Sequence, residues 1–163
     1  MIFDIRKHNS NLYNTLLNLS RNIFFYKELE LDDTYETRIY LMFFHYSLIL
    51  YIFRIKKKSP DQDNYNSLFI NIENNLREMG FGDVSVNKKM KDLNKIFYDI
   101  LLKLNNNTEN FALNKNLVLK YFDKIKNNDE KWIKINDYFD KFYKFCFELP
   151  DDNVIQQVQN FKF

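Results

Sequence analysis

Apolar residues recur at helical spacing along almost the whole chain, and no stretch of alternating apolar and polar residues is long enough to predict a strand. Short polar breaks divide this pattern into separate segments. The predicted helices run over Ser10–Lys27, Asp33–Lys57, Ser59–Gly80, Ser85–Leu104, Asn110–Lys126 and Asp129–Phe147, before a tail that ends at Phe163. The pattern therefore predicts an all-α protein, in which residues 1–163 form a single domain built as one compact bundle of about six helices.

Polar residues at the start of two of these segments predict how the helices begin. Asp33 and Glu36 have the spacing of a capping box, in which each side chain bonds to a backbone N–H near the helix start. Ser59 followed by Pro60 predicts a serine cap with proline at the first helical position.

Both glycines of the chain, Gly80 and Gly82, lie between the third and fourth predicted helices. Gly80 stands where a helix C-terminus favours a left-handed residue, and Gly82 lets the chain turn again before Asp83 or Ser85 caps the next helix. This corner serves either close packing of two helices or binding. A nucleotide site is not expected, because the third glycine of a dinucleotide fingerprint is absent and no strand precedes the turn. The charged residues expected at the corner are Arg77, Glu78, Asp83, Lys88 and Lys89.

The second predicted helix contains an apolar stretch from Ile39 to Phe53, which is followed by a basic run from Arg54 to Lys58. The stretch is shorter than the about 20 apolar residues that span a bilayer. It therefore predicts a central core helix, with shallow membrane contact as the alternative. The basic run suits a helix C-terminus, and it would also suit anionic lipid or ribosomal RNA.

Arg38 and His45 lie two turns apart on one face of this helix. An arginine on a largely apolar face needs an acidic partner or solvent, and Glu73 and Glu78 are the candidates. A histidine in such a helix is expected to be a hydrogen-bonded core residue rather than a metal or haem ligand.

Composition and charge narrow the function. A net charge of +2 is too small for a general nucleic-acid binder, so DNA is not an expected partner. Cys146 is the single cysteine and His8 the only other histidine, so neither a disulfide nor a zinc site is expected. No catalytic motif occurs, which predicts a non-enzymatic protein with no catalytic residue, metal or cofactor. The first ten residues lack the apolar core of a signal peptide, so export is not expected.

Three blocks of the sequence carry a resemblance to a known family. The first is Leu12, Tyr13, Arg21, Phe25 and Tyr26; the second is Asp33, Thr34, Arg38, Leu41 and His45; the third is Phe69, LREMGFGD from Leu76 to Asp83, Val86, Lys88, Met90, Phe97 and Tyr98. On these residues the chain resembles the ubiquinol-cytochrome c chaperone family, the assembly factors for cytochrome b of the respiratory bc1 complex. The resemblance covers about residues 12–104, and only the helical pattern describes the remainder.

The resemblance implies a mainly helical, non-enzymatic chaperone that binds newly made cytochrome b and holds it for haem loading and assembly into the bc1 complex. The chain looks like the shorter bacterial form of the family, without transit peptide or membrane anchor. It is therefore expected to be cytoplasmic and peripheral to the inner membrane. Mitochondrial relatives act with a small partner protein at the ribosomal tunnel exit, so these two partners are further expectations.

A client made of transmembrane helices requires an apolar groove with a polar rim. Two alternatives stay open: a ribosome- or RNA-contacting factor at the membrane, suggested by the basic residues at 54–58 and 88–95, and a haem-handling protein that uses His45. For the chaperone, the two glycines are expected to fix the shape of the rim. The residues expected to bind the client are Arg38, His45, Arg77, Glu78, Gly80, Gly82, Asp83, Lys88 and Lys89.

Overall fold

The computed structural model describes residues 12–107, 109–150 and 154–163, and within them the chain forms helices joined by turns and loops, with no strand and one isolated antiparallel bridge between Asn105 and Leu113. Residues 12–20 form helix α1. The other α-helices are α2 (Ile23–Lys27), α3 (Tyr35–Ile55), α4 (Gln62–Glu78), α5 (Asp83–Lys103), α6 (Lys115–Tyr121), α7 (Asp129–Glu148) and α8 (Val154–Gln157), and 3-10 turns follow at Asp123–Ile125 and Val158–Asn160. The predicted all-α helical bundle is confirmed.

Helix α3 forms the centre of the bundle, because it packs against both α5 and α7. Its buried residues lie on every side of the helix and include Phe43, Phe44 and Leu48. Among the described residues, α3 alone is long and apolar enough to cross a membrane, and 61% of its most apolar window is buried inside the protein. The prediction of a central core helix is confirmed.

His45 of α3 is completely buried and uses both ring nitrogens. Its Nδ1 lies 2.6 Å from the backbone oxygen of Leu41, and its Nε2 lies 2.7 Å from the hydroxyl of Tyr138 on α7. Because a carbonyl oxygen can only accept, Nδ1 carries the proton and Nε2 accepts from the tyrosine. Burial lowers the pKa of His45 to about 4, so the ring is neutral at physiological pH. The predicted core histidine is confirmed.

The first predicted helix, Ser10–Lys27, is wrong as a single element, because the chain turns before Asn22. The side chain of Asn22 accepts a hydrogen bond from the backbone N–H of Phe24 and starts α2. The hydroxyl of Tyr26 donates to the backbone oxygen of Ser20 at 2.8 Å and satisfies the end of α1. The side-chain bonds at the break replace the backbone bonds of a continuous helix. The start of the prediction lies outside the described residues.

The predicted capping box of Asp33 and Glu36 is also wrong, since α3 is capped by Thr34. The Thr34 hydroxyl accepts from the backbone N–H of Thr37 at 3.2 Å. Asp33 lies one residue before the cap, and its carboxylate pairs instead with Arg38 at 2.6 Å.

Helix α4 begins at Gln62, two residues later than the predicted first helical position Pro60. Its N-cap is Asp61, whose carboxylate accepts from the backbone N–H of Asp63 at 2.9 Å. A carboxylate at a helix N-terminus is favoured by the helix dipole, which a serine hydroxyl exploits less.

The predicted fifth helix, Asn110–Lys126, is too long. Asn114 caps α6 by accepting from the backbone N–H groups of Asn116 and Leu117, so the helix begins only at Lys115. The preceding segment is bridged to the end of α5: the backbone oxygen of Ala112 accepts from the N–H of Asn106, and the N–H of Asn114 donates to the backbone oxygen of Leu104. The ammonium of Lys115 lies 5.6 Å from the ring centre of Trp132 and joins α6 to α7.

Helices α5 and α7 agree with the predicted fourth and sixth helices to within two residues. The tail beyond α8 returns to α7, where Phe161 and Phe163 contact the ring of Tyr138 at 5.5 and 5.1 Å between ring centres. Tyr138 also contacts Phe24 and Phe25 of α2, and Phe24 contacts Phe163 of the tail. Tyr138 therefore holds α2, α3 and the tail against α7.

We predict that His45 makes stability depend on pH. In the unfolded chain the ring takes up a proton near pH 6.5, whereas the folded protein resists this until about pH 4. The free energy of unfolding should therefore fall as the pH drops through this window, at up to about 1.4 kcal/mol per pH unit from this group. Urea unfolding over that range should show a shallower fall for His45→Gln.

Carboxylates in ion pairs also make the free energy of unfolding depend on pH. The test is therefore the difference between the pH dependence of the wild-type protein and that of His45→Gln. If His45→Gln does not fold, NMR titration of the ring protons in the wild-type protein supplies the answer. A ring that titrates near pH 6.5 in the folded protein would contradict the buried, neutral histidine.

Candidate binding site at the α3–α4–α5 corner

The corner between α4 and α5 is built on Gly80. Its φ of +97° lies in the region that L side chains rarely adopt. The N–H of Gly80 donates to the backbone oxygen of Arg77, and the N–H of Phe81 donates to that of Leu76. These two bonds form a Schellman motif that ends α4 and turns the chain.

Gly82 has a different role. It is the N-cap of α5 at φ −75°, a conformation open to any residue, and a Cβ there would meet nothing within 4 Å. Glycine is therefore not required at position 82 for this second turn. The cap predicted at Asp83 or Ser85 is wrong, because the backbone oxygen of Gly82 already accepts from Val86 and Asp83 is the first residue of the helix.

Arg77 and Asp83 form an ion pair across the outside of the corner, and Arg77 also reaches Glu73 at 3.3 Å. These side chains are largely exposed, so the pairs contribute little to stability. They orient α4 and α5 at the corner without closing either of the two clefts described next.

A cleft of about 360 Å³ opens between α1, α3 and α4, and we call it the α1–α4 cleft. Its apolar wall contains Leu17, Ile39, Met42 and Met79. Its polar residues are Tyr13, Arg21, Tyr35, Arg38, Asn75 and Glu78. The amide of Asn75 donates to the hydroxyl of Tyr13 and ties α1 to α4 at this cleft.

The two arginines of the α1–α4 cleft differ in their partners. The guanidinium of Arg38 donates from Nε and Nη2 to one carboxylate oxygen of Asp33, at 3.1 and 2.6 Å. The predicted partners Glu73 and Glu78 are therefore wrong, although Glu78 lines the same cleft. Arg21 makes no ion pair with any described residue, so its charge is available to a ligand.

Tyr35 lies where this cleft meets a second one. Its hydroxyl is buried and has no hydrogen-bond partner among the described residues. Burial, the largest effect, raises its pKa well above the usual range, so the group remains a protonated donor. A buried hydroxyl without a partner costs free energy that a ligand acceptor would recover.

The second cleft, which we call the corner groove, has a volume of about 250 Å³ and lies between α3 and the α4–α5 corner. It shares Tyr35, Ile39 and Met79 with the α1–α4 cleft, so the two adjoin along the first turns of α3. The ammonium of Lys89 lies 4.6 Å from the ring centre of Phe81 at its edge. The remaining lining residues are Glu36, Tyr40, Leu76, Asp92, Leu93 and Ile96.

The structure divides the residues that the sequence assigned to client binding. Arg38 and Glu78 line the α1–α4 cleft and Lys89 lines the corner groove. Gly80 and Gly82 form the turn beside them. The remaining four lie elsewhere: Arg77 and Asp83 on the outside of the corner, Lys88 on the exposed face of α5, and His45 in the core.

Four prominent cleft residues were not predicted from the sequence: Arg21, Tyr35, Met79 and Phe81. Arg21, Met79 and Phe81 belong to the blocks that carry the family resemblance, and this membership could have identified them as candidate site residues. Tyr35 had no such signal, because only the packing of three helices leaves its hydroxyl unpaired.

The fold and these clefts define the class of protein: an all-helical protein with open, part-apolar binding clefts. The described residues contain no group of three or more His, Cys, Asp or Glu side chains that could hold a metal ion. A sequence model of the ubiquinol-cytochrome C chaperone family matches residues 27–161, and the chain belongs to this family. Membership indicates a role as an assembly chaperone for the bc1 complex. No curated protein and no solved structure matches the chain.

The residues matched by the family model, 27–161, differ from residues 12–104, which carry the sequence resemblance. The match begins after the first block, which contains Tyr13 and Arg21, and it continues through α6, α7 and α8. The last third of the chain, which had only a helical pattern to describe it, therefore belongs to the family domain as well.

We predict that the two glycines of the corner respond differently to substitution. Gly80→Ala should lower the free energy of unfolding by about 1 kcal/mol or more, because alanine is strained at positive φ. Gly82→Ser, the matched control, should be neutral or slightly stabilising, because serine is at least as good an N-cap as glycine. Urea unfolding of both variants measures the difference, and equal losses would contradict this account of the corner.

Proposed function

We propose that this protein binds newly made cytochrome b and holds it for haem loading and assembly into the bc1 complex. The client is gripped at the α1–α4 cleft and the corner groove. One observation carries the choice of site. Residues from all three blocks of the family resemblance, far apart in the chain, meet there: Arg21 on one side, Arg38 on α3, and Glu78 with Phe81 at the corner.

The dimensions of the two clefts indicate how the client is held. Volumes of about 360 and 250 Å³ admit a few side chains, not a whole transmembrane helix. A short segment of the client therefore inserts a few apolar side chains against Ile39, Met42 and Met79. Methionine has a flexible and polarisable side chain, so such a wall adapts to different client residues.

The polar residues of the site set the orientation of this segment. Arg21 forms no ion pair with the residues that the structure describes, and the buried Tyr35 hydroxyl has no acceptor among them. A client segment with a carboxylate or a free backbone carbonyl next to its apolar residues satisfies both groups. Burial of the bound segment strengthens these bonds, since they then lie away from water.

The two alternatives receive less support from the geometry. Haem handling by His45 would need a free ring nitrogen, and both nitrogens are engaged in the core. In the basic run, Lys56 donates to the backbone oxygen of Phe147 at 2.6 Å and lies over its ring, which gives this lysine a structural role at the end of α7. A ribosomal contact and a small partner protein remain additional expectations of the family. The proposal places the protein on the cytoplasmic side, peripheral to the inner membrane.

The site is tested by a pair of double variants. Arg21→Ala with Met79→Ala removes a cleft charge that pairs with no described acidic residue and an apolar side chain that is 54% exposed. The control, Arg54→Ala with Ile70→Ala, removes the same two kinds of group from outside both clefts, and Ile70 is 55% exposed. Both variants should remain folded. Cytochrome b recovered with the tagged cleft variant should fall about tenfold or more, as for loss of interface hot spots.

The control should recover as much cytochrome b as wild type, measured by immunoblot from detergent-solubilised membranes. Reduced-minus-oxidised spectra of the same strains should show the b-type haem signal falling only with the cleft variant. Full recovery of cytochrome b by a folded cleft variant would contradict the assigned site. A normal spectrum in a strain that lacks the gene would contradict the assembly role itself.

A further inference from the structure

One face of α5 carries an aligned row of lysines and exposed apolar side chains. Successive members are separated by four, three, four, three and four positions, which places them on a single face of the helix. We call this row the outer stripe. Its members are Val84, Lys88, Lys91, Lys95, Tyr98 and Leu102.

The apolar members of the outer stripe are unusually exposed. Val84 is 86% exposed, Leu102 is 75% exposed and Tyr98 is 48% exposed, so both ends of the stripe present apolar surface to solvent. Burying a leucine or valine side chain is favourable, and nothing in the described residues covers them.

The three central lysines of the stripe are exposed and make no ion pair with any described residue. Three lysines of α7 behave differently. On α7, Lys134, Lys141 and Lys144 each pair with an acidic residue one turn earlier, at 3.5, 2.9 and 3.0 Å. The outer stripe therefore concentrates three lysines on one helix face, with Asp92 as an acidic residue at helical spacing from Lys88 and Lys95, in a protein whose net charge is only +2.

We propose that the outer stripe docks this protein on a bilayer surface rich in anionic lipid. The lysines bind the lipid phosphates, and the apolar side chains at both ends enter the interface between headgroups and acyl chains. A nucleic-acid backbone would satisfy the lysines but would leave Val84 and Leu102 in water. The combination of charge and apolar anchors therefore favours a membrane over RNA.

The position of the stripe gives the docking a use, and this part rests on the proposed function. Lys89, Asp92, Leu93 and Ile96 of the same helix line the corner groove, on the face next to the stripe. A protein docked by the stripe holds the groove at the edge of the membrane. A client that is itself a membrane protein is then captured where it emerges.

The first test measures vesicle binding by the full-length protein. Lys88→Gln/Lys91→Gln/Lys95→Gln removes the stripe charge, and Lys134→Gln/Lys141→Gln/Lys144→Gln removes the same charge from α7. Wild type and the α7 variant should bind vesicles of phosphatidylglycerol and phosphatidylcholine, and bind phosphatidylcholine alone weakly. Each lysine near such a surface contributes about fivefold, so the stripe variant should bind on the order of 100-fold more weakly. Equal binding by both variants would overturn the proposal.

The second test distinguishes lipid from RNA. Val84→Ser/Leu102→Ser should weaken binding to the anionic vesicles and leave any binding to a single-stranded homopolymer RNA unchanged. If this variant binds vesicles as wild type does, or if RNA binds the stripe more tightly than the vesicles do, the membrane assignment is wrong.

These measurements contain no client, so they are independent of the client site. The stripe variant should still recover cytochrome b from detergent-solubilised membranes, because both clefts are intact. Loss of vesicle binding with retained recovery supports both proposals. If the stripe variant still binds vesicles while the Arg21→Ala/Met79→Ala variant fails to recover cytochrome b, the stripe proposal is rejected and the client site is kept.

Discussion

The structure depends on the burial of α3 on every side. A helix with this many apolar residues cannot remain in water, and no single neighbour can cover it. Helices α5 and α7 pack directly on it, and α2 with the C-terminal tail extends the cover through Tyr138. The imidazole of His45 is tolerated inside this apolar centre because both of its nitrogens are hydrogen-bonded and the ring is neutral. The remaining helices are arranged to meet these requirements.

The clefts lie where this cover is incomplete. Over the first turns of α3, the helix is faced by the side chains of α1 and α4 on one side and by the α4–α5 corner on the other. Tyr35, Ile39 and Met79 stand between the two openings. The same helix therefore provides the stability of the core along most of its length and the binding surface at its beginning. A substitution in the core and one in the clefts should accordingly be separable by experiment.

The sequence predicted the long helices and missed features that depend on single side chains. Helices α3, α5 and α7 each have a pattern many turns long, and the agreement of many residues outweighs local exceptions. Asn22 and Asn114 interrupt weaker patterns, because a side-chain bond to the backbone replaces a helical bond at one position. No periodicity contains that information.

The family resemblance identified many residues of the candidate site, but the contacts between these residues could not be predicted from the sequence. Arg38 was identified, but its partner is Asp33, which lies just before α3, and not Glu73 or Glu78 of α4. Gly80 and Gly82 are identical in sequence terms, and only the backbone angles show that one of them needs to be glycine. The unpaired hydroxyl of Tyr35 results from the relative positions of several helices, which a linear pattern does not fix.

The contact between Lys115 and Trp132 has a practical consequence for spectroscopy. Trp132 is the single tryptophan of the chain, and it lies at the junction of α6 and α7, in neither cleft. Trp132 fluorescence therefore reports on the packing of α6 against α7. The tryptophan lies outside the clefts that a ligand would occupy. A tryptophan introduced into the corner groove would provide a second, distinguishable signal. Folding and client capture could then be followed separately in one molecule.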